Sequence, residues 1–359
     1  MMLIARIIAD HIFSFQGGNQ MRRDCIALVL AAAFTSVGVQ ADELTMKNGS
    51  RLVGEVVTSE SGHIVFRTPF AGKIKIATEN VLEVRTVKPV TLKMADGTIY
   101  KDKLIVSTEH GIAVRNEGET PVYFKADDVS FVNPEPWRLG EGYKWFGEVN
   151  SVLSMERGNT NSNEYDADFK STWRSLDDRY ILSGMFERDE SSGEREKNQW
   201  RIRGKYDRFA AQDTDNYIGG QLVFYRDEFA DLDLRTTVGP YIGRHFFGSS
   251  LLSLSGEVGA VYVDEQFDLA EDNDFVGGNW EVSMTSDIIP RTELYATQIG
   301  IVNFDQIDGV LIDTVIGLRF PLIAGLQTAF EIKLEYDGGA VGEVDELDQT
   351  YNFKLGYTW

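Results

Sequence analysis

The side chains best placed for chemistry in this sequence are charged residues spaced two apart. Arg201, Arg203 and Lys205 alternate with Ile202 and Gly204, and Glu331, Lys333 and Glu335 alternate with Ile332 and Leu334. In an extended chain successive side chains point to opposite faces, so each triplet shares one face. Lining a passage, such rows would set its permeability and solute choice; facing each other across a narrow one, they would bridge and plug it. Both readings stay open at this level. Catalysis has less to work with. A barrel-embedded hydrolase needs a nucleophile, a histidine base and an orienting group together, yet His245 is the only histidine beyond His110, and no serine is paired with it by spacing. Gly277-Gly278 and Gly338-Gly339 open no helix, against a phosphate loop. Asp268, Glu271, Asp272, Asn273 and Asp274 offer oxygen ligands without the spacing of a helix-loop-helix calcium site. His63 and His110 lack partners at metal-ligand spacing. The expectation is a non-enzyme with no catalytic residues, no cofactor and no metal.

The charged rows need strands to hold them. From about Trp145 to Trp359 the sequence divides into segments of period-two alternation ended by turn residues: 146–156, 162–173, 178–189, 197–208, 215–227, 233–245, 250–264, 275–287, 292–304, 308–320, 325–337 and 348–359. Their length suits membrane strands of ~9–11 residues. Leu326, Thr328, Phe330, Ile332, Leu334 and Tyr336 form a greasy face opposite Gln327, Ala329, Glu331, Lys333, Glu335 and Asp337. In a water-soluble barrel the greasy face would fill the interior, and so many wide aromatics would overfill it. Turned toward lipid they need no such fit. Turns are tight at Pro290-Arg291-Thr292 and at Leu322 to Gly325, and longer at Ser191 to Lys197, Asp268 to Asp274 and Gly338 to Asp348. Short periplasmic turns and longer external loops would put both chain ends in the periplasm.

Before the barrel stands a repeat. Residues 42–133 contain one unit twice, displaced by 48 positions, so that Asn48-Gly49 matches Asp96-Gly97, Met46 matches Met94, Ile64 matches Ile112 and Val84 matches Val132. Asn-Gly and Asp-Gly supply the positive φ of a tight hairpin. The module is either a periplasmic docking domain or a spacer. Residues 134–144, opening with Pro134-Glu135-Pro136, read as a linker. Ahead of the module, Arg22-Arg23, the apolar run Cys25 to Phe34 and Val39-Gln40-Ala41 have the order of a secretory signal over 1–41, with cleavage after Ala41 and a true start at Met21. Beyond it no apolar run is long enough for a membrane helix. The net charge of −21 argues against a nucleic-acid partner.

Tyr351, Phe353, Leu355, Tyr357 and Trp359 occupy every second position up to the last residue. This resembles the terminal-strand signal read by the barrel-assembly machinery. Together with Ser151-Val152-Leu153-Ser154 and Gly158-Asn159-Thr160, the pattern from about 145 to 359 is similar to domain of unknown function 481, whose members are often labelled salt-induced outer-membrane proteins. The resemblance implies the cell outer membrane and a barrel, with no catalytic residues to carry over. The expected fold is all-β: a twelve-stranded antiparallel transmembrane β-barrel at 145–359 preceded by a duplicated small β module. Its expected surroundings are outer-membrane lipid and lipopolysaccharide, with a place for a periplasmic protein partner on the module. The expected role is a narrow passive channel for small charged solutes, or else a closed structural or envelope-stress barrel.

Overall fold

A computed structural model describes residues 41–359 apart from 61, 109–110, 116–119, 126–127, 157–161, 192–193, 211–214, 249–250, 288, 290, 308 and 339–345. Residues 1–40, the bulk of the expected leader, and Gly158-Asn159-Thr160 lie outside the described residues.

The module repeats strand for strand. Its first unit holds β1 (Asp42–Met46), β2 (Arg51–Glu60), β3 (His63–Thr68), β4 (Gly72–Ala77) and β5 (Val81–Arg85); its second holds β6 (Val90–Met94), β7 (Ile99–Thr108), β8 (Gly111–Arg115), β9 (Val122–Phe124) and β10 (Val129–Val132). In each unit the first strand pairs with the second and the fifth, the second with the third, and the third with the fourth. The hairpin turns match atom for atom. Gly49 N–H donates to Met46 O at 2.9 Å and Ser50 N–H to Asn48 Oδ1 at 3.0 Å; Gly97 donates to Met94 O at 3.0 Å and Thr98 to Asp96 Oδ1 at 2.9 Å. Gly49 and Gly97 share a φ of +85°, where a Cβ would be strained.

The two units are joined by exchange. β5 of the first pairs with β7 of the second at Arg85 and Val106, and β10 of the second pairs with β2 of the first at Val132 and Ser59. Val132 packs against both apolar cores, one around Leu44, Ile64 and Phe66 and the other around Leu92, Met94 and Val114. One continuous sheet of ten strands results, and here apolar side chains point inward in the ordinary way. Asp42, Thr86 and Lys93 are buried exceptions, and Asp42 is the most deeply buried of them. Its carboxylate accepts the backbone N–H groups of Val56 and Val87, each at 2.8 Å. The linker folds into a single 3-10 turn, Pro136–Leu139. Beside it, burial works against the Glu135 carboxylate, but donors at Trp137 Nε1 (2.7 Å) and Lys144 Nζ (2.9 Å) outweigh that and hold its pKa below the usual value.

From Lys144 the chain forms a closed antiparallel barrel of twelve strands. These are β11 (Lys144–Glu156), β12 (Ser162–Arg174), β13 (Asp178–Ser191), β14 (Glu194–Phe209), β15 (Asn216–Asp227), β16 (Leu232–Gly248), β17 (Ser253–Phe267), β18 (Asn273–Ser286), β19 (Glu293–Asn303), β20 (Val310–Pro321), β21 (Leu326–Asp337) and β22 (Leu347–Thr358). Each pairs with its chain neighbours, and β11 meets β22 through Glu148–Ser151 against Leu355–Thr358. Burial is inverted relative to the module. Ile242 and Phe353 are 61% and 69% exposed, while Asp207, Gln199 and Gln327 are at most 3% exposed. Apolar outside and polar inside is the distribution of a transmembrane barrel.

One expected loop is corrected. Ser191 to Lys197 is not a long connection, because β13 and β14 run on to Ser191 and Glu194, which pair with each other and leave only 192–193 between them. The expected contrast in loop length between the two ends is consequently slight, with 338–346 the one extended connection.

Replacing Asp42 with Ala leaves two buried N–H groups without an acceptor, a loss of about 1–3 kcal/mol for each. Hydrogen exchange on the full chain is expected to show faster exchange at Val56 and Val87, with Asp42→Asn recovering part of the protection. Unchanged exchange in the alanine variant would refute this role.

Candidate functional site: the charged lumen

The strand period that turns Ile202, Tyr206 and Phe330 toward lipid turns their neighbours inward. Arg201, Arg203 and Lys205 on β14 and Glu331, Lys333 and Glu335 on β21 all face the lumen, where each has an ionic partner. Arg201 reaches across from β14 to Asp313 on β20 at 2.8 Å. Lys333 reaches from β21 to Glu187 on β13 at 2.9 Å and to its strand neighbour Glu335 at 3.0 Å. Arg203 pairs with Glu281 at 2.8 Å, and Lys205 with Glu257 at 2.5 Å and Glu281 at 3.1 Å. Glu331 accepts from Lys354 at 2.7 Å and from Tyr295 Oη at 3.0 Å. The two sequence triplets do not pair with each other; each pairs mainly with strands the alternation alone does not single out.

The partners missing from the sequence reading are Glu187, Glu257, Glu281, Asp313 and Lys354; Lys354 also reaches Asp168 at 2.8 Å. Their signal was faint. Asp313 is the lone charge in Val310-Leu311-Ile312-Asp313-Thr314-Val315, and Glu257 and Glu281 sit among glycines and aliphatic residues. Such isolated acids in an apolar strand mark an inward position, but which cation meets them depends on the stagger of the closed sheet.

The lumen is unevenly filled. Along β14 to β18 it is packed: Tyr217 and Tyr241 are nearly inaccessible, and each ring lies over the glycine opposite, Gly243 and Gly219, where any Cβ would collide with it. Tyr217 Oη donates to Glu257 at 2.9 Å, and Tyr241 Oη to Asp207 at 2.5 Å, which also holds Arg179 at 2.6 Å. Elsewhere water reaches in. The Arg201 and Asp313 side chains keep 27% and 30% of their surface accessible. Lys170, on the inward row of β12, is exposed and has no ion pair among the described residues.

His245 faces this packed corner, with ring centroids 5.2 Å from Tyr217 and 6.3 Å from Phe209. A base for lipid hydrolysis would have to face lipid. Glu164, Asp166 and Asp189 bring carboxylate oxygens within 4.8 Å of one another near the end of the barrel away from the termini, a cluster the sequence reading did not single out. In the acidic connection after β17, Asp272 accepts the Phe267 N–H at 3.1 Å, so part of its charge is used in shaping the loop. Tyr351, Phe353, Leu355 and Tyr357 line the outer face of β22, and Trp359 lies 5.6 Å from Trp145 in ring-centroid distance.

Lys205→Met is expected to lower barrel stability by about 3–5 kcal/mol, since it strands the buried Glu257 beside a second carboxylate. The temperature at which the folded band disappears on a semi-native gel measures this. Lys205→Met with Glu257→Gln is expected to recover part of the loss, and an unshifted single variant would contradict the assignment.

Solved structures of barrel proteins resemble this chain at low identity. The NanC porin is 9% identical, with 59% of this chain and 98% of that one covered and a TM-score of 0.38. The β domain of the Bordetella autotransporter BrkA is 10% identical over 60% and 98%, with a TM-score of 0.31. The outer membrane channel DcaP of Acinetobacter baumannii is 10% identical over 89% and 94%, also at 0.31. Scores this low lend no function. No curated protein sequence matches the chain. One family does match, over residues 149–359, and through that stretch, which includes every charged residue of the lumen network on β12 to β22, the chain belongs to the family described as "Protein of unknown function, DUF481".

Proposed function

We propose that the protein is an outer-membrane barrel whose narrow, water-reached lumen passes small charged solutes, with residues 42–133 in the periplasm. The observation that carries this is the Arg201–Asp313 bridge: it spans the lumen from β14 to β20 yet leaves both side chains about a quarter to a third open to water. Such a bridge narrows a passage without drying it. Ions then meet fixed charges at close range, which is how lumen residues set selectivity. At the end away from the termini, Asp264, Asp268, Glu271, Asp272 and Asp274 cluster around one connection, and a mouth of that sign concentrates cations.

The role is non-enzymatic in this reading, with His245 stacked among aromatic rings away from the lipid face. Outer-membrane lipid and lipopolysaccharide surround the barrel, and the barrel-assembly machinery inserts it by way of the alternating terminal strand. A second reading draws support from the same bridges. A lumen crossed at Arg201–Asp313 and Lys333–Glu187 would suit a closed structural barrel, whose module then serves a periplasmic protein partner.

Planar-bilayer recording separates the two. Refolded protein is expected to give small, stable conductance steps, with a reversal potential favouring cations in a salt gradient. Arg201→Ala combined with Asp313→Ala should enlarge the steps without lowering the stability of the folded band. Conductance at the level of bare lipid for both proteins would exclude the channel and leave the closed barrel.

A further inference from the structure

On its outer surface the barrel is not uniformly convex. Along β14 to β17, outside Tyr217 and Tyr241, two adjoining hollows of about 440 and 570 Å³ open on the outer face, and both are lined by Ile218, Ile242 and Val258. All three side chains are more than half exposed. Their sizes fall in the ~300–1,000 Å³ range of small-molecule sites. The small residue Gly256 and the tight packing of the strands behind them keep the floor low.

Two arginines stand at the rim. Arg208 borders one hollow and Arg244 the other. Arg208 is in register with Ile218, which is in register with Ile242, and Arg244 lies two residues beyond Ile242 toward the same end as the chain termini. Two strand spacings across and two residues along, their Cα atoms are about 12 Å apart, a gap two arginine side chains can close toward one phosphate. Tyr206, two residues before Arg208, belongs to a row of outward aromatics with Tyr180, Trp173 and Trp145, whose place is the membrane–water interface. Arg208 is held only loosely, by Asp177 and Asp178 at 3.7 Å each, and Arg244 has no ion pair among the described residues.

We propose that this groove binds one anionic glycerophospholipid of the leaflet on the side of the chain termini, an acyl chain lying along Ile218, Ile242 and Val258 and the phosphate held by Arg244 with Arg208. The inference rests on reading the barrel as membrane-spanning. In that setting the occupant of an apolar hollow is hydrocarbon, not water or a peptide. Arginines at a membrane interface often only extend toward the headgroups; a hollow beneath them turns that into a site with a shape. Guanidinium is the donor suited to it, since its planar fork matches phosphate oxygens.

The test uses the full chain in nanodiscs of phosphatidylcholine doped with phosphatidylglycerol, with native mass spectrometry of the lipid that stays bound on release. One phosphatidylglycerol is expected to be retained about tenfold over phosphatidylcholine. Arg208→Gln with Arg244→Gln should abolish that preference. Val258→Trp, which fills the groove and leaves both arginines in place, should reduce retention of either lipid at this site. Equal retention of the two lipids by the unaltered protein, or retention unchanged in both variants, overturns the proposal while leaving the barrel reading intact. Failure of the chain to enter the nanodisc as a folded barrel would overturn the membrane reading itself, and the site with it.

Discussion

Inside hydrocarbon, an unpaired peptide N–H or C=O costs several kcal/mol, and no water is at hand to relieve it. A sheet placed there must therefore have no edges. The last pairing to be made is that of β11 with β22, where Glu148–Ser151 meets Leu355–Thr358 and Gly147 and Trp359 exchange backbone hydrogen bonds of 3.3 and 3.1 Å. The Trp359 ring sits beside Trp145, which stacks on Trp173 with centroids 6.5 Å apart. The residues that close the ladder are thus the same ones that fit the interface. A chain so arranged has an open edge until its final strand is in place, which gives the every-second-residue pattern ending at Trp359 its physical sense.

Closure forces the opposite problem on the inside. Most inward side chains are polar, apart from the apolar clusters at Phe209, Tyr217 and Tyr241 and at Val261, Val263 and Phe275, and a partly dehydrated charge is tolerated only when opposite charge and hydrogen bonds surround it. The lumen meets this by sharing. Glu187 takes Lys197 at 2.6 Å, Lys333 at 2.9 Å and the Gln199 amide at 2.5 Å, and Glu281 takes both Arg203 and Lys205. Around these two carboxylates loss of one member leaves others beside uncompensated charge, whereas Arg201 and Asp313 form a separate pair. That network, more than any single bond, fixes how far apart β13 and β14 stand from β20 and β21 and so how narrow the passage is.

Much of this was legible in the sequence because a strand writes its two faces into alternate positions. Twelve segments, their inward and outward sets and the 48-residue duplication all follow from period and spacing, and the inward placement of Glu331, Lys333 and Glu335 followed from the aliphatic residues between them. Three things were not legible. Partners across the lumen, such as Asp313 for Arg201, are fixed by the stagger of a closed sheet and have no local signature. The pairing of β13 with β14 as far as Ser191 and Glu194 was hidden because Glu190, Glu194 and Arg195 look like a polar loop, yet Glu190 and Arg195 pair near the end of the ladder. The exchange that joins the module, β5 with β7 and β10 with β2, depends on two copies meeting, whereas a repeat in sequence shows only that two copies exist.

The two halves of the chain also show why the sign of a pattern matters more than its presence. Both are β structure with alternating polar and apolar residues. In the module the apolar set turns inward, and Val132 knits the two cores together; a single unit would leave β2 and β5 with unpaired edges and a core too small to hold, which the duplication resolves. In the barrel the apolar set turns mostly outward, because the polar set is too densely charged to face lipid, and only the corner along β14 to β18 takes aromatic and aliphatic side chains inside. The module's small units, held by apolar packing, suit water, and the barrel's ion-paired interior suits a membrane. The short proline-rich segment between them marks the point along the chain where the sign of the pattern reverses.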